Sequence, residues 1–298
     1  MKKIILLFFV VFASITLFGC EKSEYQVDGE FLAYAVSIHS NSPMVTSVTV
    51  TIEDGKIAGY YIDARQGVDT KLAGADGILD TADDTWTYVW NTMTKKELGD
   101  DYNMVENGGA ISEWYVQAAL IEDYLLANGF DSVTVDAELL ITNVAGVTIK
   151  DGGYLALAAE ALELAKEGKF QAIYCTADDL VTASMIVSSK GVVSELVLDT
   201  LQGKPVAGTF AWATQSKQQL GDAYGMATVE GQLEWYEQAN AITAYVLENG
   251  WSSEIKPVSD RGISLNGTTN LITGVTIKTS GYISVLSSLF GYAGDSVK

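Results

Sequence analysis

The sequence is poor in the side chains that most often bind transition metals or act as catalytic bases. It contains one histidine, His39, and two cysteines, Cys20 and Cys175. One histidine argues against metal sites built on several histidines, against Ser-His-Asp triads and against Cys-His pairs. Because Cys20 falls at the end of an N-terminal signal, Cys175 has no partner for an internal disulfide. The fold must therefore be stabilised by its core.

Positively charged residues are also scarce. Lysines and arginines together number 18, against 38 aspartates and glutamates, which gives a formal net charge of −20. A surface this acidic repels the phosphates of nucleic acids and the anionic head groups of lipids. We therefore expect no nucleic-acid partner and a solvated, extracellular surface.

The N-terminus has the pattern of a secretory signal. Lys2 and Lys3 precede an apolar run over residues 4–18, and Gly19-Cys20 follows. Residues 17–20 resemble the lipobox of bacterial lipoproteins, in which the cysteine is lipidated and becomes the mature N-terminus. This predicts a signal peptide over 1–20 with lipidated Cys20, a polar linker over 21–30, and a lipid-anchored protein on the extracellular face of the cytoplasmic membrane. The alternative is an ordinary signal peptide that contains Cys20. No later stretch approaches the ~20 consecutive apolar residues of a spanning helix.

The rest of the chain contains an internal repeat. Residues 96–104 and 218–226 share Leu-Gly-Asp-x-Tyr-x-Met, and residues 113–118 and 234–239 share Glu-Trp-Tyr-x-Gln-Ala. Gly-Val-Thr-Ile-Lys follows in both copies, and a tyrosine stands six residues after each threonine. We therefore predict two tandem domains, 31–168 and 169–298.

Each copy has the same predicted order of elements: strand, hairpin, long loop, helix, strand, threonine turn and helix. This is an α+β fold in which each copy has a mostly antiparallel sheet and packed helices. The first copy has predicted strands at 31–39, 45–52 and 56–63 and helices at 113–128 and 153–166. The second has strands at 170–175, 183–188 and 192–199 and helices at 234–249 and 282–292. The second copy also has extra polar residues at 259–269, which we expect to be a loop.

The two threonine turns are the first candidate site. Each is an apolar run that leads into Gly146-Val147-Thr148 or Gly274-Val275-Thr276. A strand that ends at the glycine and is followed by a helix places the threonine hydroxyl beside the free backbone N–H groups of the helix, which bind anions. A threonine there could carry a phosphate. The alternative is that two β-branched threonines simply end two buried strands.

Taken together, these motifs resemble the FMN-binding domain of bacterial extracellular flavoproteins, several of which are lipoproteins with two tandem domains. In that family a flavin transferase joins FMN through its phosphate to the threonine of a motif close to Asp-x-x-Ser-Gly-Ala-Thr. The resemblance implies FMN on Thr148 and Thr276, with Gly146, Gly274 and Asn270 in the cofactor-binding turns. This chain departs from the motif in having Thr142 and Asn270 at the aspartate positions, and valine where the family has alanine.

The resemblance implies an electron carrier rather than an enzyme with its own substrate. Electrons would come from membrane quinone-linked redox proteins and leave to an extracellular acceptor. The aromatic residues that open each long helix, Trp114, Tyr115, Trp235 and Tyr236, are candidates for contact with the flavin ring; the alternative is that they are core aromatics. The alternative function is a surface lipoprotein without flavin that kept the fold as a binding or structural module.

An acidic loop over residues 74–84 occurs only in the first copy. Asp76, Asp80, Asp83 and Asp84 lie within nine residues, with glycine at the turn. Ca²⁺ takes six to eight oxygen ligands from such flexible segments. The loop therefore predicts a calcium site, and the alternative is a solvated acidic loop.

Overall fold

The computed structural model describes residues 24–176, 179–206 and 208–298. Cys20 and the signal lie outside the described residues. Among the helices in these ranges, none has the length and apolar character needed to cross a membrane.

The first half contains a four-stranded antiparallel sheet in the order β1-β2-β3-β4. Its strands are β1 (Gly29–His39), β2 (Ser42–Glu53), β3 (Lys56–Leu72) and β4 (Thr85–Trp90). The predicted hairpin turn joins β2 to β3, where Asp54 and Gly55 have φ of 50° and 69°. Three α-helices follow: α1 (Lys95–Leu98), α2 (Trp114–Asn128) and α3 (Tyr154–Glu167).

The second half repeats this plan. Its sheet has the order β5-β6-β7-β8, with β5 (Lys169–Thr176), β6 (Asp179–Val187), β7 (Val193–Val206) and β8 (Thr209–Trp212). The helices are α4 (Lys217–Leu220), α5 (Trp235–Asn249) and α6 (Ser280–Ala293). A two-stranded sheet of β9 (Lys256–Val258) and β10 (Arg261–Ser264) lies between α5 and α6.

The alternation of side chains along β2 explains how each sheet receives its helices. Val48, Val50 and Ile52 point to one face, where each is fully buried in the core beside α2 and α3. Ser47, Thr49 and Thr51 point to the other face. One face of the sheet therefore packs on helices, and the polar face is left for other contacts.

Three differences from the sequence-based expectation stand out. The predicted long loops contain a fourth strand in each sheet, β4 and β8, because these segments complete the sheet edge by long-range pairing with β3 and β7. The strand expected before each threonine is not formed: the first copy has only isolated bridges there, at Val135–Ile141 and Leu140–Lys150. The polar stretch 259–269, expected to be a loop, contains β10.

The segment expected to be a polar linker is packed. Tyr25 and Val27 are buried in the core, whereas Glu24, Gln26 and Asp28 between and beside them are exposed. This alternation is what a strand-like segment needs to bury one side. The chain therefore packs against the core several residues before β1.

The two halves share one hydrophobic core. The rings of Phe31 in β1 and Phe170 in β5 are stacked, with centroids 4.3 Å apart, and both side chains are fully buried. Helix α3 packs on β1, β2 and β5, while α6 packs on β5, β6 and β1. Each half thus buries part of the apolar surface of the other.

Candidate cofactor-attachment turns

Each threonine turn is held by one buried glutamine from the long helix before it. In the first copy, Oε1 of Gln117 accepts hydrogen bonds from the backbone N–H of Thr148 (2.7 Å), the backbone N–H of Ile149 (3.1 Å) and the Thr148 hydroxyl (3.3 Å). In the second, Oε1 of Gln238 accepts the same three from Thr276 and Ile277, at 2.7, 3.1 and 3.4 Å. The two turns therefore have the same geometry.

The glutamines are fixed at their other end as well. Gln117 Nε2 donates to the carbonyl of Ser112 (3.0 Å), and Gln238 Nε2 donates to the carbonyl of Leu233 (2.8 Å). Both glutamine side chains are fully buried. A buried amide with its donor and acceptor both satisfied has a single orientation, so it holds the threonine backbone in place.

The threonines themselves are exposed, but they do not lie where the sequence analysis expected an anion site. Helices α3 and α6 begin at Tyr154 and Ser280, several residues after the threonines. The turns are fastened instead to the first turns of α2 and α5 through the glutamines. The expected contact with the N–H groups of the following helix is therefore absent from the described hydrogen bonds around Thr148 and Thr276.

Glycine is required before each threonine. Gly146 and Gly274 have φ of 81° and 87°, a region that side-chain-bearing residues rarely adopt. A Cβ at Gly146 would also lie 3.0 Å from Leu120 Cδ1, and one at Gly274 would lie 3.1 Å from Leu233 Cδ1. The repeated glycine thus lets the turn pass close to an apolar side chain.

The other repeated residues brace the same region. The Glu113 carboxylate accepts hydrogen bonds from the backbone N–H groups of Met104 and Val105, and Glu234 does the same for Met226 and Ala227. The tyrosine of Glu-Trp-Tyr donates its hydroxyl to the aspartate of the Leu-Gly-Asp motif. The pairs are Tyr115 and Asp100 (3.2 Å) in the first copy and Tyr236 and Asp222 (3.1 Å) in the second. The two sequence motifs are therefore two halves of one packed unit.

The tryptophans proposed as flavin contacts are core residues. Trp114 is 3% exposed and Trp235 is 2% exposed. Their indole N–H groups donate to the hydroxyls of Tyr154 (3.3 Å) and Tyr282 (3.0 Å). Burial raises the pKa of Tyr154 to about 12, so its hydroxyl stays protonated. The Trp–Tyr pair joins the helix after the threonine to the helix before it. For the two tryptophans this burial favours the alternative of the sequence analysis, that they are core aromatics.

A buried lysine lies against these aromatic rings in each copy. Lys95 Nζ is 5.0 Å from the Tyr102 ring centroid and 5.2 Å from that of Trp114. Lys217 Nζ is 5.2 Å from Tyr224 and 5.6 Å from Trp235. Both lysines are 8% exposed. Burial lowers the pKa of Lys95 to about 8, against the opposing attraction of Asp63.

Replacing Lys95 with methionine is expected to increase stability at neutral pH and to flatten its pH dependence. Because the folded pKa is about 8 and the ordinary value is 10.5, the unfolded chain binds more protons between these values, and the free energy of unfolding of the unmodified protein rises with pH there. The charged lysine costs on the order of 2 kcal/mol at about pH 7, less than the full shift because the rings attract the cation.

Urea denaturation at about pH 7 and about pH 9.5 measures this effect. Lys56→Met, at an exposed lysine, is the control and should keep the pH dependence of the unmodified protein. A Lys95→Met variant with an unchanged pH dependence would contradict the assignment of this pH dependence to Lys95.

The residues at the family's aspartate position differ between the copies. Asn270 is held inside its loop: its Nδ2 donates to the carbonyl of Val275 (2.8 Å), and its Oδ1 accepts from the N–H groups of Ile263 and Ile272, both at 3.2 Å. Thr142 instead donates its hydroxyl to the carbonyl of Thr134 (3.1 Å). Both residues thus stabilise the loop that carries the threonine turn.

The second turn has a cation that the sequence analysis missed. Arg261 Nη1 donates to the carbonyl oxygen of Thr276 at 2.6 Å. Arg261 lies in β10, within the stretch expected to be a loop, so nothing in the local pattern placed it beside the threonine. Gln117 and Gln238 were also missed, although the repeat contained a signal: both are the fourth shared letter of Glu-Trp-Tyr-x-Gln-Ala.

The acidic loop is crosslinked internally. The Asp84 carboxylate accepts hydrogen bonds from the backbone of Asp80 (2.6 Å) and lies 3.0 Å from Lys71 Nζ, which is also 2.6 Å from Asp80. The Asp83 carboxylate accepts a hydrogen bond from the Thr81 hydroxyl (2.7 Å). The Asp76 carboxylate accepts one from the backbone N–H of Ile78 (2.8 Å). Across the described ranges, no group of three or more acidic, histidine or cysteine side chains is arranged to hold a metal ion. Calcium binding stays a prediction.

Comparison with known proteins identifies no family for this chain. No protein-family model matches the chain, and no curated protein matches it. A solution NMR structure of a protein from Clostridium thermocellum has 25% sequence identity over 46% of this chain and 89% of that chain, with a TM-score of 0.28. A similarity at that TM-score carries no argument about fold or function.

Proposed function

We propose that the protein is a membrane-anchored extracellular electron carrier with two FMN-binding-type domains, in which FMN is joined through its phosphate to Thr148 and Thr276. A flavin transferase would attach the cofactor. Electrons would enter from membrane quinone-linked redox proteins and leave to an extracellular acceptor, while lipidated Cys20 holds the protein at the membrane. When bound, FMN supplies the redox chemistry, and the chain supplies attachment and position.

The observation that supports this proposal most directly is that the two threonines have the same set of hydrogen bonds. In both copies one buried glutamine oxygen accepts from the threonine N–H, the next N–H and the threonine hydroxyl. The hydroxyl donates to the glutamine, so a lone pair of the exposed Oγ1 faces outward. When the Oγ1–phosphorus bond forms, the transferase would take the hydroxyl proton, and the flavin nucleotide that donates FMN would lose the group bonded to the same phosphorus. An exposed oxygen on a rigid backbone is what a modifying enzyme needs and what a tethered cofactor then requires.

Charge near the second turn favours Thr276 as the better acceptor. Arg261 lies within hydrogen-bond distance of the Thr276 carbonyl, and its guanidinium can offset the charge of a phosphate. Lys278, two residues after the threonine, is 3.8 Å from Asp260 and 74% exposed, so solvent screens most of its contribution. We expect the second copy to be modified more completely than the first.

Intact-mass and peptide-mass spectrometry test the proposal. The protein is co-expressed with a flavin transferase from the same source. The expected result is a gain of one or two FMN units mapped to Thr148 and Thr276, each removed by the corresponding Thr→Ala variant. Thr269→Ala, at an exposed threonine just before the seven motif positions 270–276, is the control and should keep the full mass.

No added mass, with the transferase shown active on another domain, would contradict the proposal. The chain would then be better described by the alternative, a surface lipoprotein that has the fold without the flavin. Absorbance near ~450 nm that survives denaturation gives an independent reading of covalent flavin.

A further inference from the structure

We infer that the cleft between the first sheet and the second half of the chain is a binding site for a neutral saccharide. The cleft has a volume of about 650 Å³, within the range of about 300–1,000 Å³ typical of small-molecule sites. One wall is the polar face of β2 and β3, and the other comes from β5 and from Tyr292 of α6. Neither threonine turn lines it, so the inference is independent of flavin attachment.

A row of unpaired hydroxyls lines the first wall. Ser47, Thr49 and Thr51 occupy alternate positions of β2, so they share one face at a spacing of about 7 Å. Among the described residues no side chain or backbone group forms a hydrogen bond with these three hydroxyls. Thr49 is only 9% exposed, and leaving a half-enclosed hydroxyl without a partner is costly unless water or a ligand supplies one.

The other half of the molecule shows how the same space can be filled. Ser47 of β2 pairs across the strands with Tyr34 of β1 and Asp63 of β3. Thr182 has the equivalent position in the second sheet, where it pairs with Ile173 of β5 and Asp199 of β7. Tyr34 reaches across to the second sheet, where it lines the corresponding space together with Thr182 and Asp199. The corresponding space there is only about 160 Å³.

Ile173 occupies the position in the second half that Tyr34 has in the first. It lines the large cleft but has no hydroxyl to offer Ser47. The exchange of tyrosine for isoleucine therefore leaves the cleft open above its hydroxyl row. An outside group with hydroxyls of its own can complete these hydrogen bonds.

The chemistry of the walls selects a neutral sugar. Hydroxyl groups both donate and accept, as sugar hydroxyls do, while Leu32 and the rings of Tyr61 and Tyr174 give apolar surface for the C–H faces of a sugar. Arg65 is the cation among the lining residues; it donates to the carbonyls of Asn91 and Thr92 and lies 3.6 Å from Glu97.

Asp63, the buried acid of the cleft, is also hydrogen-bonded. It accepts hydrogen bonds from the backbone N–H groups of Ala64 (2.8 Å) and Lys96 (3.2 Å). Glu30 is the third charged residue of the lining; it is exposed, so solvent screens its charge. With Arg65 and Asp63 hydrogen-bonded and a chain net charge of −20, an anion is disfavoured, and the hydroxyls are left as the main recognition groups. They match a neutral polyhydroxylated ligand.

Binding is tested by ligand-observed NMR and calorimetry on the purified full chain, in buffer free of glycosidic detergent. The probes are the neutral trisaccharides cellotriose, maltotriose, xylotriose, mannotriose and chitotriose, with glucuronic acid as a charged sugar. We expect at least one neutral probe to bind. Thr49→Val, which removes a hydroxyl without changing shape, and Ile173→Tyr, which fills the cleft as Tyr34 does, should each weaken binding at least about tenfold.

Thr87→Val in β4, outside the cleft lining, is the matched control and should leave binding unchanged. Thermal unfolding of each variant confirms that it is folded. Three outcomes overturn the inference: no neutral probe binds, binding survives Ile173→Tyr, or only the charged sugar binds. None of these outcomes bears on flavin attachment, which is read from the mass.

Discussion

Replacing Gln238 with leucine is expected to lower the free energy of unfolding by about 2–3 kcal/mol and to prevent the addition of FMN to Thr276. The glutamine oxygen accepts two backbone N–H groups and one hydroxyl, and leucine accepts none. The part-buried N–H groups are then left without partners, and the turn is free to change its conformation. The same change at Gln117 should affect the first turn alone.

Two separate readouts distinguish the loss of the turn from loss of the fold. Urea denaturation gives the stability of each variant, and intact mass after co-expression with the transferase gives the modification at a temperature where the variant is folded. Gln215→Leu, at an exposed glutamine, is the control and should change neither. A folded Gln238→Leu variant that still gains FMN at Thr276 would show that the glutamine does not position the threonine.

Replacing Phe170 with alanine is expected to destabilise the protein by about 3–5 kcal/mol, the largest effect of a single core substitution that we predict. Phe170 is fully buried, stacks on Phe31 at 4.3 Å, and its ring also lies against Gly29. Because this contact joins the two halves, the loss should be seen by probes in both. Phe130→Ala, at a ring that is 38% exposed, should cost much less.

A double-mutant cycle on Phe31 and Phe170 separates their direct contact from their burial. Stacked aromatic pairs contribute about 0.5–1.5 kcal/mol beyond the area that they bury, so the two alanine substitutions should not be additive. Additive effects, or an unfolding transition that affects only one half in Phe170→Ala, would indicate that the two sheets are stable independently of one another.

Much of the architecture is readable from local pattern. The alternation in β1 and β2, the Asp54-Gly55 turn and the glycines after α2 and α5 predict elements whose observed bounds agree closely with the expected ones. These elements satisfy most of their backbone hydrogen bonds locally or with the next strand along the chain. Local spacing is therefore enough to specify them.

The repeat showed which residues recur together, but not how they interact. Glu-Trp-Tyr-x-Gln-Ala precedes the threonine turn in both copies, but a tryptophan that fills a core and one that contacts a flavin occupy the same place in a motif. Burial decides between them, and burial depends on packing from elements far away in sequence. For Trp114 the deciding contact comes from Tyr154, 40 residues later.

By itself, the sequence determined the α+β class, the duplication, the acidic surface and the glycine-threonine turns, because each of these depends on residue type and near-neighbour spacing. Only the tertiary structure decided that β4 and β8 complete the sheets, that one glutamine holds each threonine, that Arg261 lies beside Thr276, and that Ile173 leaves a cleft where Tyr34 fills one. The physical reason is that these features arise between segments distant in the chain. Their free energy comes from hydrogen bonds and burial that no local pattern encodes.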